Sequence, residues 1–234
     1  MMVLLTLLAA LVPAGVVMWY FITKDRFPEP THLLAKTFLW GVLITVPIIL
    51  MELPLQFIVA VLPLDWLAPF LTAFLVAGFT EELFKLLILH CYCARKPDFD
   101  EPMDAVVYGV VVSLGFACLE NVLYVTGGGM TVAAARAVTA IPAHASFGAL
   151  MGYYYSLQHF GRAGRARFFS NVLWIPVFFH GLYDLVPMLL HSEVVAVEEQ
   201  PLLASILLIC FVVLMGWLFL GARRIVLELR AGQS

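Results

Sequence analysis

A chain of 234 residues that is 63% hydrophobic and only 12% charged is not a soluble globular domain, which carries about 25% charged residues. Its formal net charge of −3 provides no general attraction for nucleic acid, so the expected partner is the lipid bilayer. The reading is an all-α, polytopic integral membrane protein.

Seven apolar segments are each long enough to cross a hydrocarbon core, which takes about 20 helical residues. They cover residues 3–23, 37–62, 70–90, 103–126, 132–159, 169–190 and 202–222. The first has no basic residue before it, and Lys24 and Arg26 follow it, so it reads as a retained helix rather than a signal peptide. Basic residues recur after every second segment: Lys24, Arg26 and Lys36, then Arg95 and Lys96, then Arg162, Arg165 and Arg167, then Arg223, Arg224 and Arg230. The alternate connections 63–69, 127–131 and 191–201 hold no lysine or arginine. The positive-inside rule then puts the N-terminus outside and the C-terminus in the cytoplasm. The whole chain, 1–234, reads as one membrane-embedded domain. Its four cysteines, Cys91, Cys93, Cys118 and Cys210, have neither disulfide nor zinc-ribbon spacing.

The third segment contains Glu81, Glu82 and Lys85. A charge at the centre of a spanning helix costs about 2.5–3.5 kcal/mol on insertion scales, so such residues mark a site or a buried pair. Lys85 can reach either glutamate across one turn, but one lysine neutralises only one carboxylate. The expectation is that Lys85 pairs with Glu82. A rotation of about 100° per residue then leaves Glu81 on another face, toward the later helices.

Those helices carry Glu120 and Asn121 in segment four, His144 after Pro142 in segment five, and His180 and Asp184 after Pro176 in segment six. His180 and Asp184 are one turn apart on one face, so the carboxylate can fix the imidazole tautomer. Glu120 can instead neutralise Arg136. Each proline removes a helical hydrogen bond and permits a kink near a histidine, and such open backbone suits a cavity that holds water.

A glutamate and two histidines can hold Zn²⁺ and leave a position for water, and a further carboxylate can take the proton as that water attacks a peptide carbonyl. The expected ligands are Glu120, His144 and His180, with Glu81 as general base, Glu82 and Lys85 positioning it, and Asp184 supporting His180. A metal-free alternative uses Glu81 and a histidine to activate water directly. Two other classes stay open: a proton- or ion-coupled carrier, and a haem protein with His144 and His180 as axial ligands. A silent protein that chaperones a membrane partner is a third.

At these residues the chain resembles the PrsW family of intramembrane proteases, distant relatives of the CAAX prenyl endopeptidases and Abi proteins. The matching features are KDRFPEP at 24–30, EELFK at 81–85, Phe116 with Glu120 and Asn121, His144 with Gly148, and His180 with Asp184, in family order over about residues 20–190. Relative to the wider superfamily, Lys85 stands one position before the usual arginine, Glu120 replaces a histidine and Asp184 an asparagine. The resemblance implies a protease of a bacterial or archaeal cytoplasmic membrane. It also implies a single-pass or lipid-anchored protein substrate, in bacteria an anti-sigma factor. The seventh helix carries none of the motifs and is expected to be accessory.

Overall fold

A computed structural model describes residues 2–63, 66–161, 168–192, 195 and 200–233. Among these residues every regular element is helical: α1 (Met2–Lys24), α2 (Thr31–Val61), α3 (Ala68–Leu71), a π-helix (Thr72–Phe79), α4 (Thr80–Cys91), a short 3₁₀ turn (Cys93–Arg95), α5 (Pro102–Val138), α6 (Ala140–His159), α7 (Phe168–Leu190) and α8 (Pro201–Gly232). The arginines 162, 165 and 167 and most of the 191–201 connection lie outside the described residues.

The first half of α5 is the centre of the bundle. Every residue from Met103 to Cys118 is buried, which matches a sequence, AVVYGVVVSLGFAC from Ala105 on, that is apolar on nearly all faces. α1, α2 and α6 pack around it. At the other extreme, α8 leaves Leu202, Ile209, Val213 and Leu220 exposed, as a helix facing lipid does.

Gly129 reverses the chain. Its φ of 69° and ψ of −160° interrupt α5, and it is the one described residue with positive φ, a conformation that glycine adopts at little cost. Beyond it the chain runs back along itself. Arg136 reaches Glu120 and Asn121, and a Cβ on Gly152 or Gly148 would meet the backbone of Ala105 or Gly109. Segments four and five are therefore an antiparallel hairpin whose backbones touch through small residues, the close approach that drives helix association where lipid offers no hydrophobic gain. Gly148→Ala puts a methyl against the Gly109 carbonyl and the Ser113 hydroxyl. It is expected to cost about 1–3 kcal/mol, read as a lower unfolding midpoint in detergent. Gly127→Ala meets open space and should leave the midpoint unchanged.

Five stretches qualify as membrane-crossing by length and hydropathy: Leu7–Lys24, Thr31–Val61, Pro102–His159, Asn171–Leu190 and Pro201–Gly232. The third of these holds the whole hairpin. The expected segment 70–90 is one helical run divided among α3, the π-helix and α4. Three local expectations change. α2 begins directly after Pro30, six residues before the predicted start, because a proline restricts the residues before it rather than after. α8 continues ten residues past its predicted end, where Arg224 pairs with Glu228 at 2.8 Å across one turn. Pro142 does not kink a span: the break falls at Thr139 (φ −116°, ψ −70°), and Pro142 sits in the first turn of α6, where a missing N–H has no helical partner to lose.

Candidate active site

The π-helix delivers the chain to α4, and the acidic pair falls in α4's first turn. π-helical geometry is rare and concentrates at functional sites. Here an eight-residue stretch of it, TAFLVAGF, ends at Phe79, two residues before Glu81. Thr80 closes the junction by donating its hydroxyl to the Val76 carbonyl and reaching Glu52 Oε1 at 3.2 Å.

Lys85 is completely buried and touches both glutamates, with Nζ 3.0 Å from Glu81 Oε2 and 2.8 Å from Glu82 Oε1. The predicted division, with Lys85 given to Glu82 and Glu81 left to the histidines, is thus not what the geometry shows. Positions i+4 and i+3 straddle the two glutamates, so one long ammonium side chain meets both despite their angular separation. The same ammonium lies 3.3 Å from His144 Nδ1 and 4.4 Å above the centre of the Phe116 ring.

α6 and α7 bring the two imidazoles together, their rings edge to face at 5.3 Å. Phe147 stacks on His180 at 4.8 Å, holding the ring plane. His180 Nδ1 is 2.9 Å from Glu82 Oε1, and its Nε2 is 3.3 Å from Asp184 Oδ2 and 3.7 Å from Glu81 Oε2. The one-turn partnership of His180 and Asp184 is present. His144 Nε2 is 3.0 Å from Glu120 Oε2, and Arg136 pairs with the same oxygen at 2.5 Å. The two sequence readings of Glu120, as an ion-pair partner and as a member of the histidine cluster, therefore describe one carboxylate doing both.

Beside this cluster lies a cavity of about 170 Å³ whose wall includes Glu81, Glu120, Arg136, His144 and Asp184. It also includes Glu52, Gln56 and Tyr124, which sequence reasoning passed over. Glu52 was detectable: it is an acidic residue inside a predicted span, and the criterion applied to Glu81 covers it equally. Tyr124 carried no such signal. It faces the site because the guanidinium of Arg136 stacks over its ring at 4.1 Å.

Among the described residues, Glu81, Glu82, His144 and His180 each offer a ligand atom, and these atoms lie within 4.8 Å of one another. All four residues are buried, and Glu82 Oε2 has no hydrogen-bond partner. Two imidazole nitrogens with carboxylate oxygens form the donor chemistry of a hydrolytic metal site, and the unpartnered oxygen is a position that burial alone would not leave open. The set fits a metal ion.

A multi-pass helical bundle with buried carboxylates and imidazoles around a polar cavity has the makings of a membrane-embedded peptidase. Comparison with known proteins shows its family. The family model described as PrsW family intramembrane metalloprotease matches residues 29–218. The chain is 36% identical to Protease PrsW of Geobacillus kaustophilus, over 75% of this chain and 76% of that protein. It is 36% identical to Protease PrsW of Bacillus subtilis, over 76% and 80%, and 35% identical to that of Clostridioides difficile, over 78% and 79%. No solved structure matches the chain. The chain belongs to the PrsW family of intramembrane metalloproteases.

Proposed function

We propose that this protease cleaves a single-pass or lipid-anchored protein of the anti-sigma-factor class. In this reading Glu81 acts as general base beside a zinc ion held by His144, His180 and Glu82. The supporting observation is the convergence of Glu81, Glu82, His144 and His180 within 4.8 Å. Glu82 takes the ligand place that the sequence offered to Glu120, because the Arg136 guanidinium already engages Glu120 at 2.5 Å while Glu82 keeps an oxygen without a partner. Glu81 is the carboxylate of the pair that lines the cavity, where a substrate and water meet it.

The bound ion would lower the pKa of its water toward about 7 and polarise the scissile carbonyl. Glu81 accepts the proton as the water oxygen attacks the carbonyl carbon, then gives it to the departing amine. Lys85 keeps the Glu81 and Glu82 carboxylates in place. Asp184 orients His180, and Glu120, braced by Arg136, orients His144. A second reading rests on Lys85, whose ammonium touches three of the four donor groups and so supplies a positive charge there without any metal.

Purified protein in liposomes, given a reporter whose cleavage region is joined to one membrane span, tests the substrate class. Cleavage of the anchored reporter and none of the same region made soluble is expected; equal cleavage of both sinks the reading. Metal analysis of the same preparation separates the two mechanisms. Zinc near one ion per chain, lost in His180→Ala, supports the metal reading, and full activity in metal-free protein supports the second.

The proposed setting is a bacterial or archaeal cytoplasmic membrane with the N-terminus outside. The basic residues following segments one, three and seven support it. In a variant without native cysteines, Gly127→Cys should be labelled from outside intact cells and Asp98→Cys should not. Labelling of both overturns the orientation.

A further inference from the structure

The KDRFPEP stretch has no part in the active site, yet its two acidic residues are buried. Asp25 is 7% exposed and Glu29 6%. Both meet Asp104, fully buried at the start of α5. Each of the three carboxylates offers an oxygen, and those oxygens lie within 4.8 Å of one another.

Glu29 and Asp104 lie in carboxyl–carboxyl contact, as do Asp25 and Glu101, and the groups that donate to the three are neutral. Asp104 Oδ2 caps α5, accepting the backbone N–H groups of Asp100 at 2.8 Å and Glu101 at 2.7 Å. Asp25 Oδ1 accepts from the Phe27 N–H at 3.0 Å and from Gln233 Nε2 at 2.7 Å. Glu29 Oε2 accepts from the Tyr108 hydroxyl. The other oxygens of Asp25 and Asp104, Oδ2 and Oδ1, are buried without any hydrogen-bond partner. Among the described residues none of the three carboxylates has a lysine, arginine or histidine within ion-pair distance. The Arg26 guanidinium, in the same stretch, turns instead to the Gln233 carbonyl.

Buried charges are paired or coordinate metals, and here no pairing cation is found among the described residues. We propose that Asp25, Glu29 and Asp104 form a second metal site, distinct from the active site, for a hard divalent cation of the Ca²⁺ and Mg²⁺ class. The ligands are all carboxylate oxygens, the preference of such ions. Ca²⁺–O distances of about 2.3–2.6 Å place opposed ligands up to about 5 Å apart, so the observed spacing suits a single ion with water completing its shell. The bound ion joins the α1–α2 connection to the start of α5. Through Gln233, which also donates to Glu101 Oε1 at 2.5 Å, it ties in the end of α8.

Tb³⁺, a luminescent stand-in for Ca²⁺, tests the site in the full-length protein in detergent. Tyr108, bonded to Glu29, is placed to sensitise its emission. Saturable emission is expected, displaced by Ca²⁺ or Mg²⁺ and retained in His180→Ala, which removes an active-site ligand. Glu29→Gln and Asp104→Asn should each weaken Tb³⁺ binding at least about tenfold, since affinity follows the ligand charge count. They should also abolish the rise in unfolding midpoint that Ca²⁺ gives the parent protein. Asp104→Asn also disturbs the α5 cap, so Glu29→Gln, which keeps the side-chain shape, decides if the first fails to fold. A folded Glu29→Gln protein that binds Tb³⁺ as well as the parent overturns the site. So does a parent protein whose midpoint no divalent cation shifts, since the carboxylates are then neutralised by protons.

Discussion

Glu81→Gln is expected to lower the rate of peptide cleavage by about 10²–10⁴-fold, the usual cost of losing a general base, in a protein that still folds and still carries its metal. The amide keeps the size of the side chain and can still accept from Lys85, which stands 3.0 Å from the native carboxylate, but it cannot take a proton from water. Removing one of two carboxylates around a single ammonium also relieves an excess of negative charge rather than creating one. Stability should therefore hold or rise. Glu82→Gln separates the two roles. Glu82 contacts both Lys85 and His180, at 2.8 and 2.9 Å, so its loss should reduce metal content as well as turnover. The measurements are cleavage of the anchored reporter, metal per chain and unfolding midpoint for both variants. Near-native turnover in a folded Glu81→Gln protein ends its assignment as base. Retained metal in Glu82→Gln moves the third ligand back to Glu120.

The sequence showed the helices and the charged residues well, and their contacts less well. Buried α5 and lipid-facing α8 follow from runs of apolar residues that leave few alternatives in a membrane. His180 with Asp184 was visible because both lie on one helix one turn apart, where spacing alone fixes the neighbour. Glu120 was ambiguous for the opposite reason. Its neighbours His144 and Arg136 arrive from the returning arm of a hairpin, and only the reversal at Gly129 sets that register. The π-helix before Glu81 left no mark in TAFLVAGF, since its apolar residues suit α and π geometry alike. Gln233 was also beyond reach. It meets Asp25 and Arg26 at the far end of the chain, and no local pattern encodes a contact of that separation.

Lys85→Met should be the most destabilising single change in the cluster. Lys85 is fully buried and is the only lysine or arginine within ion-pair distance of Glu81 or Glu82 among the described residues. Breaking a buried ion pair by deleting one partner costs about 3–5 kcal/mol, because the remaining charge has neither water nor a counter-ion. Methionine matches the length of the lysine stem and keeps the contact with Phe116, so the loss reports charge rather than packing. A double-mutant cycle isolates that term. Lys85→Met combined with Glu82→Gln removes one positive and one negative charge together and should be more stable than Lys85→Met alone. Zinc gives a further arm. If His144, His180 and Glu82 hold the ion, it can supply part of the missing positive charge, and added zinc should raise the unfolding midpoint of Lys85→Met more than that of the parent. A midpoint for Lys85→Met within error of the parent would show that the two glutamates are neutralised without the lysine, and the cluster's charge arrangement would have to be redrawn around His180.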